Sequence, residues 1–479
     1  MCHLHTAHAG RLKTKADQEM SKETPKIAIV GGGSTHWTPR LLVDFVNTEG
    51  LRDASVALND IDVDSLQRME RLARHIVSTK KTSMDISASP EIGDVLDGAD
   101  FVITALSVGG FESMAHDVEI PARYGVYQPV GDSVGPGGIF RSLRSIPVML
   151  EIAGHIEQYC PEALLINVTN PLSALCRAVS SKTSVRTVGL CNELVGMQFW
   201  MSLLFDVGMN EVDPVVAGVN HLPLVTELRI GDRDGFAMLS DLLDSLDQVA
   251  GEPVWMDPPE ATHWEQLDPS LPWSKGDVLH SNRLKLAFFR AYGVLPGSSD
   301  THVAEFLPTF LDATSDHGRA WGVYQHGMRG HRLDKANDNE EADLMEVQEE
   351  VSPLPSGELV APLLDSLITG TTRSLPVNLA NEGQVVGLDD GVVVECIGVA
   401  GPDGLHPRDV ADAGDATEFV RRVVASQELT IEAALSGDKT KVLRAMIEDP
   451  HAGTLAWETV TALTEEMFAA EARWLPQFA

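Results

Sequence analysis

The stretch PKIAIVGGGSTHWTPRLLVDFVNTEG, residues 25–50, indicates the fold of the first half of the chain. Lys26–Val30 is a short apolar run typical of a buried strand, and residues 39–46 have the pattern of a helix. The glycines between them permit a tight turn and a close approach of the backbone to a phosphate. His36 stands where the GxGxxG fingerprint has its third glycine, so the motif by itself is weak. The loop residues that we expect to contact a dinucleotide are Gly31, Gly32, Gly33, Ser34 and Thr35.

A second strand, ASVALNDID at residues 54–62, contains Asp60 at its polar end. An acidic residue at this place can accept hydrogen bonds from the two ribose hydroxyls of NAD, which makes NAD the predicted cofactor. The alternative is that the carboxylate caps the next helix, a task for which Asp62 is the better candidate.

Three more apolar runs follow, at residues 99–110, 161–171 and 185–191, and helical segments such as residues 141–160 lie between them. Strands that alternate with helices in this way form a doubly wound parallel sheet. The sequence therefore predicts the α/β class, with a Rossmann-like doubly wound parallel sheet.

The predicted division of the chain has three parts. Residues 1–24 are polar and without periodicity, and we expect a disordered tail there. An NAD-binding Rossmann-like domain covers residues 25–222. An α+β domain over residues 223–479 would contribute to substrate binding and to oligomer formation.

Composition limits the class of partner. The chain of 479 residues carries 70 Asp and Glu against 36 Lys and Arg, a formal net charge of −34, which argues against nucleic acid as a partner. No apolar run of about 18 residues occurs, and the amino terminus lacks a basic-then-apolar signal pattern. We therefore expect no membrane partner and a cytoplasmic location. Five scattered cysteines without a CxxC spacing predict no disulfide framework.

Polar residues follow several predicted strands, at the edge where open parallel sheets bind their ligands. Asn170 follows the fourth strand, Cys191 follows the fifth, and His221 follows the later run VVAGVN. A thiolate and an imidazole at two such ends could share one divalent ion. A core histidine and an inert thiol are an equally good interpretation of these residues alone.

Six motifs occur in a characteristic order: GGGST, GVYQPVGDSVGPGGIFRSLRSIP, NVTNP, GLC followed by an amide, AGVNH and LPVNLANEGQVVGLDDGVVVE. Together they resemble glycoside hydrolase family 4, over about residues 26–475. Ordinary dehydrogenases do not carry GDxxGPGG and GVNH after a nucleotide-binding half. The resemblance implies an architecture like that of lactate and malate dehydrogenases, NAD and a divalent metal, usually Mn²⁺, as cofactors, and a homodimer or homotetramer.

Members of that family are exceptions to the two-carboxylate mechanism of glycosidases. The resemblance implies transient oxidation of the sugar at C3, removal of the C2 proton, elimination of the glycosidic oxygen and addition of water at C1. Such a reaction needs a metal, a base near C2 and a proton donor near the leaving oxygen. Two other classes stay open, an NAD-dependent dehydrogenase of free sugars or hydroxy acids and a silent nucleotide-binding regulator.

The resemblance assigns roles by position. Cys191 and His221 match the two protein ligands of the metal. Asn170 matches a contact to substrate hydroxyls, and Asp132 matches an acidic position beside the catalytic base. Asn192 stands in the catalytic site beside the substrate, where some members have an aspartate as proton donor. An amide cannot act as an acid, so water or another group would have to donate the proton.

The expected base differs between branches of the family. Phosphosugar-specific members supply a tyrosine from a Tyr-Leu-x-Tyr-Tyr segment, which is absent between His221 and residue 291. The segment at residues 290–308 instead resembles the non-phosphorylated branch, where Asp300 is the candidate base. Capping of the following helix is the alternative for Asp300. His302, as a substrate contact, and Glu305 would border the same site.

The resemblance is closest to the α-galacturonidase and α-galactosidase branch, and α-galacturonide is the predicted substrate. α-Galactosides, α-glucosides and α-glucuronides are the alternatives. The phosphate-specific branch has a basic residue at the position of Met114, and a thioether cannot bind a phosphate dianion. A uronate needs a cation, ideally a guanidinium. Arg141 or Arg144 would supply it, although either could be a solvated helix residue or a phosphate contact.

Overall fold

A computed structural model of the chain describes residues 24–250, 273–323 and 357–479, together with scattered helical positions between residues 336 and 346. The tail predicted over residues 1–24 lies outside the described residues except for its last position. None of the helices in these described ranges is long and apolar enough to cross a membrane.

One mixed sheet of 13 strands runs through the described chain. The strands are β1 (Lys26–Val30), β2 (Ser55–Asn59), β3 (Asp85–Ala88), β4 (Phe101–Thr104), β5 (Leu164–Asn167), β6 (Arg186–Gly189), β7 (Val212–Val219), β8 (Leu222–Ile230), β9 (Arg233–Asp234), β10 (Leu295–Pro296), β11 (Arg373–Ala380), β12 (Val393–Gly401) and β13 (Gly404–Pro407). The parallel half has the order β3-β2-β1-β4-β5-β6, which is typical of dinucleotide-binding folds. The predicted doubly wound sheet is therefore confirmed.

The sheet continues beyond β6 with antiparallel pairing, in the order β11-β12-β7-β8-β10. Strand β13 pairs with β12, and β9 pairs with β8. Strands β7 and β8 form a hairpin with the two-residue turn Asn220-His221. The predicted domain boundary at residue 222 falls at the start of β8, inside this hairpin, and the division into domains stays a prediction.

Helices cover both faces of the parallel half. The described α-helices are α1 (Trp37–Asn47), α2 (Val63–Lys80), α3 (Ile92–Leu96), α4 (Gly110–Arg123), α5 (Gly135–Tyr159), α6 (Leu172–Lys182), α7 (Glu193–Phe205), α8 (Gly235–Ala250), α9 (Lys275–Ser281), α10 (Arg283–Tyr292), α11 (Asp300–Phe306), α12 (Val360–Thr369), α13 (Thr417–Ser436), α14 (Lys439–Glu448) and α15 (Trp457–Glu471).

Two apolar cores lie on opposite faces of β1. Ile27 and Ile29 pack in one core with Leu42 of α1, whereas Ala28 lies in the other core with Leu143 of α5. All five side chains have no solvent exposure. Successive strand residues point to opposite faces, so a strand covered on both sides must be apolar throughout. Each buried Ile or Leu contributes about 1.5–3 kcal/mol to folding.

Candidate active site

The glycine loop between β1 and α1 runs close to the backbone of the segment after β4. Gly31 has a φ of +91°, and a Cβ atom there would lie 2.1 Å from the carbonyl oxygen of Ala105. Any other residue at Gly31 would be both strained and in collision. Ser34 and Thr35 complete the turn before α1, and the Ser34 hydroxyl accepts the N–H of Trp37 at 3.1 Å.

Asp60 and Asp62 have separate tasks at the start of α2. Asp62 is the N-cap of α2, where its carboxylate accepts the N–H of Ser65 at 3.1 Å. Asp60 instead accepts the N–H groups of Gly33 and Asp62, both at 2.9 Å. The capping alternative for Asp60 therefore does not apply to α2, and Asp60 lies beside the glycine loop, where a ribose contact was predicted.

A cavity of about 160 Å³ lies at the carboxyl ends of β4 and β5. The side chains that line it come from α1, from the segments after β4 and β5, and from α5: Trp37, Ser107, Thr169, Asn170, Arg141 and Arg144. Ligands of open parallel sheets bind in this crevice.

Asp132, His221 and His302 come together near this cavity. Across the described ranges, they are the one group of three potential metal ligands whose ligand atoms all lie within 4.8 Å of one another. The rings of His221 and His302 are 3.9 Å apart between centroids, and His221 Nδ1 lies 3.5 Å from Asp132 Oδ1. Asn170, which lines the cavity, donates its side-chain N–H to Asp132 Oδ2 at 2.8 Å. The cavity and the three-residue group thus form one site.

The β7–β8 turn and a serine orient His221. His221 has a φ of +68°, a conformation that histidine tolerates better than most residues, at the tip of the hairpin. The Ser133 hydroxyl donates to Asp132 Oδ1 at 2.8 Å and lies 2.7 Å from His221 Nδ1. Because Ser133 donates to Asp132, the Nδ1–H of His221 donates to Ser133, which leaves Nε2 as the nitrogen suited to bind a cation.

The site favours positive charge. Burial alone would lower the pKa of His302, but the carboxylates of Glu193 and Asp132 outweigh burial and raise that pKa to about 9. Burial likewise opposes ionisation of Asp132, yet His221, His302 and Arg141 together hold the pKa of this carboxyl well below its usual range. Carboxylates that stabilise an imidazolium would equally stabilise a metal ion, whose binding would displace the proton.

Cys191 does not belong to this group of three. It lies two residues after the end of β6 and is half-buried. Burial and the carboxylates of Glu395 and Glu193 raise the pKa of the Cys191 thiol well above its ordinary value, and Asn220 hydrogen-bonds to the thiol. The thiol is neutral in these surroundings unless a cation stabilises the thiolate. The role of Cys191 as a metal ligand with His221 stays a prediction.

Asn192, the predicted position of a proton donor, contacts a distant carboxyl group. It is the N-cap residue of α7, and its Nδ2 donates to Glu358 Oε1 at 3.1 Å. Glu358 is half-buried and lies just before α12. Burial and the nearby carboxylate of Asp44 raise the pKa of Glu358 to about 7.

Asp300, the predicted base, is buried and holds the start of a neighbouring helix. Its carboxylate accepts the backbone N–H groups of Leu284 and Lys285 at 2.8 and 3.3 Å, at the second and third positions of α10. The Lys285 ammonium, also buried, lies 3.9 Å from Asp300 Oδ1. Burial raises the pKa of Asp300 to about 6, against the opposing effect of Lys285. The helix that Asp300 caps is α10 rather than its own, and its role as base stays a prediction.

Two carboxylates that support the site were not assigned a role from the sequence. Glu193 accepts the N–H of Ser299 at 2.5 Å and lies 3.3 Å from His302 Nδ1. Glu305, expected only to border the site, accepts the N–H groups of Val130 and Gly131 at 2.6 and 2.8 Å. Each carboxylate therefore ties α11 or its preceding turn to a segment more than 100 residues away.

The two arginines of α5 differ in what they bind. Arg144 is fully buried and pairs in a bidentate way with Asp117, at 2.8 and 2.5 Å. Arg141 donates only its Nε–H to Asp117, at 3.2 Å, and its terminal nitrogens make no hydrogen bond to the described residues. Neither arginine is a solvated helix residue. Met114 Sδ lies 3.9 Å from the hydroxyl of Ser107, which lines the cavity.

Comparison with known proteins places this chain among glycosidases. Residues 26–207 match the model described as "Family 4 glycosyl hydrolase", and residues 216–452 match "Family 4 glycosyl hydrolase C-terminal domain". An α-galacturonidase of Thermoanaerobacter italicus is 28% identical over 92% of this chain and 95% of its own length. An α-galactosidase of Bacillus subtilis is 28% identical over 95% of this chain and 99% of its own length.

Solved structures agree with the fold. The crystal structure of lplD from Bacillus subtilis superposes with a TM-score of 0.82 at 26% identity, over 93% of this chain and 99% of that one. A 6-phospho-β-glucosidase of Thermotoga maritima, solved with manganese, NAD⁺ and glucose-6-phosphate, gives a TM-score of 0.74 at 21% identity, over 94% of this chain and 99% of that one.

Proposed function

The chain belongs to family 4 of the glycosyl hydrolases, and we propose that it hydrolyses a non-phosphorylated α-galacturonide with NAD and a divalent cation, best Mn²⁺, as cofactors. Its relatives include both an α-galacturonidase and an α-galactosidase, so the sugar has to be argued from the site. The two sugars differ at C6, where a galacturonide carries a carboxylate and a galactoside a hydroxymethyl group.

The observation that carries this choice is the Arg141 guanidinium in the cavity. Its terminal nitrogens are uncommitted among the described residues and share the cavity wall with Asn170, which contacts Asp132. A guanidinium binds a carboxylate with two parallel hydrogen bonds, whereas a neutral hydroxymethyl group gains little from it. Met114 near the cavity argues against a phosphorylated sugar, because a thioether offers no charge to a phosphate dianion.

The residues present suit a dinucleotide. Gly31 lets the loop pass close to the Ala105 carbonyl, which a Cβ atom would block. The Asp60 carboxylate lies next to the loop and accepts the N–H of Gly33. The loop leads into α1, whose amino terminus favours a phosphate. Gly31 to Thr35 would hold the pyrophosphate, and Asp60 the ribose hydroxyls. The likeness to the NAD-containing Thermotoga maritima protein supports this proposal at the level of the fold.

The residues present also suit a divalent cation. One carboxylate and two imidazoles lie within 4.8 Å of one another, and carboxylate oxygens suit Mn²⁺ while imidazoles suit several transition metals. Asp132, His221 and His302 would hold the ion, with Cys191 as the further ligand that the family implies. When bound, NAD would accept and return the C3 hydride, and the cation would polarise the C2 and C3 oxygens.

The protein's own residues then have three tasks. Asn170 would hold the sugar hydroxyls through its side-chain amide while Asp132 orients that amide. Asp300 is the proposed base for the C2 proton. Arg141 would hold the C6 carboxylate and so fix the sugar in register with these groups. Glu193 keeps His302 and the α11 turn in place.

The experiment that tests the function is a panel of aryl α- and β-glycosides, galacturonide and glucuronide included, assayed with and without NAD and Mn²⁺. We expect aglycone release from the α-galacturonide that needs both cofactors and leaves no net NADH. Release without cofactors would refute the proposed chemistry. NADH that accumulates in step with substrate consumption would favour the simple dehydrogenase, and NAD binding with no turnover at all would favour the silent regulator.

Arg141→Met is expected to lower kcat/KM for the α-galacturonide by about 10- to 100-fold, because hydrogen bonds to a charged group contribute about 1.5–3 kcal/mol. Activity on the matching α-galactoside, which has no carboxylate, should change little. Arg123→Met, which removes an exposed arginine of α4, is the control. An equal loss on both sugars would contradict a role for Arg141 in carboxylate recognition.

A further inference from the structure

The proposed reaction needs a proton donor for the glycosidic oxygen, and Asn192 cannot serve because an amide has no acidic proton at neutral pH. Burial raises the pKa of several carboxyl groups in the described chain to between about 6 and 8, the range in which a carboxylic acid can act as general acid. These groups are Asp300, Glu305, Glu358 and Glu395.

Asp300 is already proposed as the base, and two of the other groups are enclosed by protein. The exposed fractions are 1% for Glu305 and 0% for Glu395. Asp300 and Glu305 each accept two backbone N–H groups, which stabilise the carboxylate rather than the acid. Glu358 is half-buried, so its carboxyl group can exchange its proton with solvent between turnovers.

Glu358 also lies at the right edge of the sheet. It accepts a hydrogen bond of 3.1 Å from Asn192, which follows the carboxyl end of β6 and begins α7. We propose that Glu358 is the catalytic residue that protonates the leaving oxygen, an inference that rests on the glycosidase function proposed above. Asn192 is then a positioning residue, because its N–H holds one carboxyl oxygen and favours the proton on the other.

The proton transfers to and from oxygen balance with Glu358, while the C2 proton goes to the proposed base Asp300 and returns from it when water adds. As the C1–O bond breaks, its electron pair moves to the glycosidic oxygen, which takes the proton from Glu358 and leaves as a neutral alcohol. The remaining Glu358 carboxylate then takes a proton from the water that adds to C1. The acid is thereby restored for the next turnover, and no further co-reactant is needed.

The surroundings of Glu358 keep a large share of the acid protonated up to about neutral pH. Burial is the largest cause of the raised pKa of about 7, the carboxylate of Asp44 on α1 adds to it, and Arg40 on the same helix opposes it. A general acid must be protonated to act, so turnover of substrates that need it should fall as the pH rises through about 7.

The test compares two leaving groups. Glu358→Gln is expected to lower kcat/KM for methyl α-galacturonide by about 10²-fold or more, the usual contribution of a general acid. The kcat/KM for 4-nitrophenyl α-galacturonide should be nearly unchanged, because it covers the steps up to aglycone release and the phenolate leaves without a proton. The variant should also lose the alkaline fall in its pH profile for the methyl glycoside.

Two matched variants complete the test. Glu151→Gln removes an exposed carboxyl group of α5 and should leave both activities unchanged. Asp44→Asn removes the carboxylate that raises the pKa of Glu358, so the alkaline fall should move to lower pH.

The outcomes separate the inference from the function on which it rests. If Glu358→Gln lowers kcat/KM equally for both substrates, or for neither, the assignment of Glu358 is overturned although the wild-type protein remains a glycosidase. If the wild-type protein releases no aglycone from either substrate with NAD and Mn²⁺ present, the proposed function fails first.

Discussion

His221→Ala is expected to abolish binding of the divalent cation and to lower kcat on the α-galacturonide by about 10³-fold, since a Lewis acid supplies several kcal/mol of transition-state stabilisation. His221 belongs to the group of three in the structure and to the ligand pair that the family implies, so both ligand sets predict this loss. NAD binding should persist, because the glycine loop and Asp60 follow β1 and β2, whereas His221 lies between β7 and β8. Isothermal titration with Mn²⁺ and with NAD measures the two separately.

His406→Ala, which removes an exposed imidazole of β13, is the matched control and should behave like the wild type. Loss of the folded state in His221→Ala, detected by circular dichroism, would return His221 to a purely structural role. Unchanged Mn²⁺ affinity in a folded variant would contradict the metal site itself.

Absorption of the Co²⁺-loaded protein distinguishes the two ligand sets. A thiolate ligand produces a charge-transfer band that imidazole and carboxylate ligands lack, and Cys191→Ser would remove it. If Cys191 does not bind the ion, the band is absent from the wild type, and His302→Ala should weaken Mn²⁺ binding more than Cys191→Ser does.

Local sequence patterns were sufficient for the parallel half of the fold. The glycine at position 31 directly predicts a tight turn. It has a φ of +91° and lies against the Ala105 carbonyl, where a side chain would not fit. The apolar runs after it can likewise be read as strands buried on both faces. The resemblance to family 4 rested on motifs of the same local kind, and the matches over residues 26–207 and 216–452 confirm it.

Local sequence patterns do not predict contacts between distant segments. Glu358 meets Asn192 across 166 residues, and Glu193 meets Ser299 across 106. Neither glutamate lies in a periodic run or a turn motif that marks it, since its task is set by a partner that only the folded chain brings near. The order β6-β11-β12-β7 is non-local for the same reason. Strands β11 and β12, which come more than 140 residues after β8, insert between β6 and β7.

Asp300 shows how one residue can satisfy both interpretations offered by the sequence. The motif predicts a base, and the turn chemistry predicts a cap. The structure shows capping of α10 together with an ion pair to buried Lys285. A carboxylate bound to two backbone N–H groups is fixed in orientation, which a catalytic base also requires, so the contacts by themselves do not separate the two roles.

Asp300→Asn, alone and combined with Lys285→Met, separates them. The single variant should lose about 10²- to 10⁴-fold in kcat as the base is removed. It should also lose about 3–5 kcal/mol of stability, since Lys285 is left as an unpaired buried charge. The double variant removes that charge and should regain most of the stability. If Asp300 is the base, the double variant stays inactive and does not exchange the substrate C2 proton with deuterium from solvent. Activity that returns together with stability would show that Asp300 acts only through α10 and Lys285.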